Sequence, residues 1–226
     1  MSRIVKRVLQ YLRGTLNLVL ILGADDITKM KTWVDASYAV HADMKSHTGG
    51  CVSFGRGALI WKSTKQKLNT KSSTEAELVG ASDVLPRNIW LEMFLGAQGY
   101  FLEENDFAQD NQSTMKLETN GRRSCGQQSR HIDIRFFFIK DRIDSGYMNV
   151  VYCPTEVMLA DFFTKPLQGA LFRKFRDVVM GKEHVSTLKR TVLDPSQERV
   201  GSHEMTSDKR PETVLFGGSF GYCILT

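Results

Sequence analysis

Residues 30–39, "MKTWVDASYA", decide how this chain is read. An apolar run ends on a carboxylate, Asp35, with the small residues Ala36 and Ser37 straight after it. Taken alone, an Asp at the open end of a strand is a turn former or a helix cap. The surrounding segments have to supply any other reason. Downstream, "GGCVSF" and "ALIWKS" read as two more strands, with "GRG" between them as a glycine-bearing hairpin signal. The Ser/Thr/Lys-rich loop "KSTKQKLNTKSST" leads into "EAELVGASDVLPRNIWLEMFLGAQG". Apolar residues at 78, 81, 85, 89 and 93 give that stretch a helical spacing, with a break or kink expected at Pro86.

Beyond it, "NDFAQD" reads as a strand, "NQSTMKLE" as a short helix and "GRRSCGQQS" as a polar loop. "RHIDIRFFFIKDRIDSG" is expected to be a helix ending near Gly146, "YMNVVYC" a strand, and "TEVMLADFFTK" and "LQGALFRKFRDVVM" helices. Upstream, residues 3–13 carry apolar positions at 4, 5, 8, 9 and 12, a helix with Gly14 as its stop, and "LNLVLILG" reads as a strand. A hairpin-linked trio followed by helix-connected strands implies an α/β fold. Its sheet is mixed, antiparallel at one side and parallel at the other.

Composition narrows the function classes. With 226 residues, 42% hydrophobic and 24% charged, the chain can bury the core of one ordinary domain plus extra segments. The apolar run "LNLVLILG" is far too short to span a bilayer. The start "MSRIVKRVLQYLRG" lacks the apolar region of a secretory signal, so a non-secreted protein is expected, with no membrane partner. Cys51, Cys125, Cys153 and Cys223 form no CxxC pair, which argues against zinc and for free thiols in a reducing compartment. From Gly181 onward six Lys/Arg balance six Asp/Glu, so the net charge of +5 belongs to residues 1–180 and permits a polyanionic partner.

The acids then fall into a pattern. Asp35 closes the first strand of the sheet and Asp110 the strand reached after the helical crossover. Such a crossover makes the two strands parallel neighbours. Both carboxylates therefore sit at carboxyl ends of adjacent strands, the edge where open sheets place ligands. Glu77 or Glu75 from the start of the long helix, and Asp161 from the helix after the last strand, can reach the same edge. Four carboxylates there persist only if they are protonated or hold a cation. Oxygen-only ligation points to magnesium or manganese. Ser72-x-x-Glu75 and Thr74-x-x-Glu77 are both capping-box patterns, so either glutamate could serve merely as a cap.

Six motifs in order, "WVDAS", "SHTGG", "KQKLNTKSSTEAEL", "QDNQS", "RHIDIRFFFI" and "LADFFTKPL", closely resemble the RNase H domain of copia-type retrotransposon Pol polyproteins over about residues 30–180. The preceding "KRVLQYLRGTL" resembles the connection from the reverse transcriptase. The resemblance implies an RNase H-like mixed five-stranded sheet with flanking helices. It implies two-metal hydrolysis, with Mg2+ or Mn2+, of the RNA strand of an RNA–DNA hybrid. The reverse transcriptase portion of the same polyprotein would be its partner, in a cytoplasmic virus-like particle or the nucleus. Asp35, Glu77, Asp110 and Asp161 match the family's catalytic, metal-binding carboxylates, and the family pattern prefers Glu77 to Glu75.

For the nucleic acid the resemblance and the lysine run together nominate Lys65, Lys67, Asn69, Thr70, Lys71, Ser72 and Gln112, with Lys62 nearby. The implied organisation is a connection remnant at 1–24, the RNase H-like domain at 25–180 and a disordered tail at 181–226. Cellular relatives carry a histidine in the loop before the last acidic helix; here that loop, "CPTEVML", has none. His131 in "RHIDI" is read as structural, and His41 and His47 offer no metal spacing. Integrase-type enzymes of this fold order their acids Asp, Asp, Glu, unlike Asp35, Glu77, Asp110, Asp161. A catalytically inactive RNase H-like binding or connecting module is the alternative from another class.

Overall fold

A computed structural model of the protein describes residues 3–115 and 130–191. Two-residue alternation splits the central strand β2 (Lys29–Ser37) between two cores. Val34 joins one hydrophobic cluster and Trp33 the other. Around β2 the sheet is completed by β3 (His47–Ser53), β5 (Ile60–Lys65), β6 (Glu104–Gln109) and β7 (Asn149–Tyr152). Their order is β5-β3-β2-β6-β7, antiparallel from β5 to β2 and parallel from β2 to β7. This is the expected mixed five-stranded sheet. A separate two-stranded ribbon joins β1 (Gly23–Ala24) to β4 (Gly55–Arg56).

Helices cover both faces. The long α2 (Ser73–Ala97) and α3 (Arg130–Asp144) pack over Val34, Phe107 and Val150 through Leu78, Leu85, Phe136 and Ile139. On the other face α4 (Asp161–Thr164) and α5 (Gly169–Val179) close over Trp33, Cys51, Ala108 and Cys153, using Phe175 and Val178. Cys51 and Cys153 are free and buried, and burial pushes the Cys153 thiol up to about 12. The N-terminal α1 (Arg3–Gly14) buries none of its residues.

Several expectations are corrected. "LNLVLILG" forms no strand apart from Gly23 at the start of β1. Val19, Leu20, Ile21 and Leu22 are exposed, and the Ile21 N–H donates to the Met180 carbonyl, so this run borders α5 rather than joining a sheet. Pro86 does not end α2, because buried Leu78, Leu85 and Leu91 on both sides of it hold one continuous 25-residue helix. "TEVMLADFFTK" is not one helix. A 3-10 turn at Thr155–Val157 is followed by extended Met158, buried with Leu159 and Ala160, before α4 begins.

The packed chain also runs past the expected boundary at residue 180. Leu188, in the 3-10 segment Val185–Thr191, is buried in the second core, and His184 hydrogen-bonds Asp25. The expected polar loop at 121–129 with Cys125, the last three residues of "NQSTMKLE", the His131 side chain and the tail from 192 with Cys223 lie outside the described residues.

Candidate active site

Register brings the first two acids level. Trp33 pairs with Ala108 across the parallel β2–β6 ladder, and Asp35 and Asp110 each lie two residues further on. With a side-chain period of two, both carboxylates leave the sheet on the Trp33 side. Glu77 arrives from the first turns of α2, where the Ala36 N–H donates to its carboxylate. Gly80 permits that approach, since a Cβ there would stand 3.3 Å from the Ala36 Cβ. Ligand oxygens of Asp35, Glu77 and Asp110 lie within 4.8 Å of one another.

Packing gives the two glutamates different surroundings. Ser72 caps α2: its Oγ accepts from the Glu75 N–H at 3.1 Å, while Glu75 Oε2 accepts from the Lys71 N–H at 2.7 Å. Glu75 is therefore the capping partner. Glu77, 6% exposed, faces the other acids.

Asp161 opens α4 and is 4% exposed. It stands beside the trio, bound by Lys165, whose Nζ is 2.7 Å from Asp161 Oδ1 and 3.7 Å from Asp35 Oδ1. The Thr164 hydroxyl donates to Asp35 Oδ2. Gly49 lets α4 come this close to β3: a Cβ there would fall 2.5 Å from Thr164 Cγ2 and 2.9 Å from Phe163 Cβ. Thr155 Oγ1 donates to Asp110 Oδ2 at 3.1 Å.

The electrostatics follow from crowding. Burial first, then the charges of Asp35 and Asp110, push the Glu77 carboxyl well above its ordinary value. Burial and the Asp35 charge raise Asp110. Burial also raises Asp161, against the hydrogen bond from Lys165. For Lys165 itself burial works downward, but the bond to Asp161 and the charges of Asp35, Asp161 and Asp110 together carry it above the usual lysine value. Asp35, Glu77 and Asp110 line an open cleft of about 520 Å³ with Asn111, Gln112, Ser113, Tyr152 and Lys165.

The nominated nucleic-acid contacts are placed unevenly. Gln112 borders the cleft, next to Asn111, whose side chain accepts from the Ser113 and Thr114 N–H groups. Lys67 is exposed. Lys65 pairs with Asp43 at 2.7 Å, and Asn69 Nδ2 donates to the Asp43 carbonyl at 3.3 Å. Thr70 is buried, with its hydroxyl 2.9 Å from Ser46 Oγ, and Ser72 is occupied as the cap. The Lys71 N–H is committed to Glu75, and Lys62 reaches back to the Asp83 carbonyl of α2. His41 and His47 share a 3.0 Å hydrogen bond, and the second ring nitrogen of His47 meets Ser63. Thr164 and Lys165 went unnoticed as site residues, although the i,i+4 spacing of Lys165 from Asp161 was a usable signal.

No family model matches the chain. It is similar to the retrovirus-related Pol polyprotein from transposon TNT 1-94 of Nicotiana tabacum, 34% identical over 176 residues, covering 77% of this chain and 13% of that protein. The corresponding polyprotein from transposon RE1 of Arabidopsis thaliana is 31% identical over 173 residues, covering 76% and 12%. The chain thus spans about an eighth of the length of these relatives. Among solved structures, LC11-RNase H1 in complex with RNA/DNA hybrid aligns with a TM-score of 0.45 and 14% identity over 60% of this chain and 93% of that one. The N-terminal RNase H domain of Rv2228c from Mycobacterium tuberculosis aligns with a TM-score of 0.42 and 12% identity, covering 65% and 98%. The chain is thus a relative of the retrovirus-related transposon Pol polyproteins and corresponds to one stretch of them.

Proposed function

We propose that this chain is a ribonuclease H, a divalent-metal-dependent endonuclease that hydrolyses the RNA strand of RNA–DNA hybrids. It would act beside the reverse transcriptase portion of the same retrotransposon polyprotein, in a cytoplasmic particle or the nucleus. One observation carries the reading: oxygens of Asp35, Glu77 and Asp110 converge within 4.8 Å at the carboxyl ends of two parallel strands. Like charges so close repel by about 3 kcal/mol per pair at an effective dielectric of 20. The residues therefore fit a hard cation. Their oxygen-only donor set, with no thiolate among the described residues that line the cleft, favours magnesium or manganese over zinc.

Asp35, Glu77 and Asp110, with Asp161 beside them, would hold two such ions. Bound there, the ions would supply an activated water and a counter-charge for the leaving oxygen. The chain's own part is orientation. Thr164 fixes one oxygen of Asp35, Thr155 steadies Asp110, and the Ala36 N–H holds Glu77. Gln112 at the cleft rim and exposed Lys67 are placed for the sugar–phosphate backbone. Recognition would rest on hybrid shape and 2′-hydroxyls rather than on base identity.

The test is cleavage of an end-labelled RNA–DNA hybrid in magnesium by the protein and by its Asp110→Asn variant. We expect the unaltered protein to cut the RNA strand and to leave duplex DNA whole. Chelator or the variant should reduce cutting to background. An intact hybrid with both proteins, in magnesium and in manganese, would leave only a non-catalytic module of the same fold.

A further inference from the structure

Lys165 enters the acidic edge from α4 and stands between two carboxylates. Its ammonium lies 2.7 Å from Asp161 Oδ1 and 3.7 Å from Asp35 Oδ1. The second Asp35 oxygen is taken by the Thr164 hydroxyl, so the Asp35 carboxylate is fixed with Oδ1 toward the lysine. Asp161 is thereby drawn to Lys165 and stands outside the trio whose oxygens approach one another within 4.8 Å. A lysine ammonium is a compact cation with three donors, and between two carboxylates it fills the place of a small metal ion.

We propose that the Lys165 ammonium occupies the second cation position of this edge. The chain without nucleic acid then takes up one divalent ion, at Asp35, Glu77 and Asp110, and admits another between Asp35 and Asp161 only when Lys165 withdraws. The inference rests on the metal-dependent reading above. Withdrawal has a natural cause: the Lys165 side chain is 37% exposed and lines the cleft, where a substrate phosphate offers it another anion. Substrate and second ion are then coupled, because each relieves the competition the lysine poses to the other. A plain i,i+4 surface pair would leave ion binding unaffected.

The experiment counts ions on the full chain without nucleic acid. Free Mn2+ is read by electron paramagnetic resonance and Mg2+ uptake by calorimetry, with folding verified by circular dichroism. The unaltered protein should bind one ion tightly, and Lys165→Arg, which keeps the cation, should do the same. Lys165→Met should bind two, the second ion tightening by about tenfold to a hundredfold. Lys165→Gln, judged by the same count, replaces the methionine variant if that one does not fold. Two equivalent ions on the unaltered protein, or a single ion on a folded neutral variant, would overturn the role of Lys165 and leave the metal-dependent reading standing. No uptake by any of these proteins would overturn both.

Discussion

Replacing Glu77 by Gln should stabilise the metal-free protein while removing its proposed chemistry. The Glu77 carboxyl is raised well above its ordinary value of 4.5 by burial first and by the charges of Asp35 and Asp110 next. A carboxyl raised in the folded state holds a proton that the unfolded chain has already lost. The stability it contributes is full below about pH 4.5 and drains as pH climbs through the folded value. Each neighbouring charge within 4.8 Å costs at most about 3 kcal/mol at an effective dielectric of 20, and Lys165 offsets part of that repulsion. Gln keeps the shape and an oxygen to accept from the Ala36 N–H. For a chain of this size, every kcal/mol of repulsion removed should lift its Tm above that of the unaltered protein by about 2–4 °C at pH 8. Thermal unfolding in chelator from pH 4.5 to 9 reads this directly. The two curves should meet at the acid end and separate upward. Magnesium should then raise the unaltered protein, by about 2.7 kcal/mol at a hundred times Kd, and leave the variant where it was. Parallel curves, or a variant less stable at every pH, would mean that Glu77 is not pressed against the other acids, and the convergence argument would be wrong.

Gly49→Ala should cost about 1–3 kcal/mol in denaturant unfolding, because its Cβ would stand 2.5 Å from Thr164 Cγ2 and 3.0 Å from the Ala160 carbonyl. Hybrid cleavage should fall with it as α4 shifts off Asp35; unchanged stability and activity would show that the α4–β3 approach is unimportant. Glu92 gives the second pH dependence: burial pushes its carboxyl up to about 7, against the hydrogen bond from Asn105 and the charge of Arg142. Stability should therefore decline as pH rises from about 4.5 through 7, and Glu92→Gln should flatten that decline in thermal unfolding. Cleavage should be untouched, since Glu92 lies about 22 Å along α2 from Glu77; a slope equal to that of the unaltered protein would refute the assignment.

What could be read along the chain was whatever depends on near neighbours. The alternation in "MKTWVD", the hairpin at "GRG" and the 78–81–85 spacing of α2 all persist in the structure. Local rules were equally clear and less informative for Glu75 and Glu77, which satisfy the same capping pattern. The hydrogen bonds at Lys71 and Ser72, and the burial of Glu77 beside Asp35 and Asp110, separate them. "LNLVLILG" misled because an apolar run states that burial is wanted, not whether a sheet edge is at hand. The buried Asn88, which donates to Thr32 and Asn105 at 2.9 Å, has no local signature either, because its partners are 56 and 17 residues away.

By itself the sequence determined the five strands of the main sheet, the two long helices that cover one face, their order, and the four acids at or near element ends, because period and capping are properties of a few consecutive residues. Tertiary structure decided which carboxylates share one edge and that a lysine stands among them. That outcome depends on the β2–β6 register, on α2 approaching at Gly80 and on α4 approaching at Gly49. Charges interact through the distances that packing sets between remote segments, and no local pattern encodes those distances.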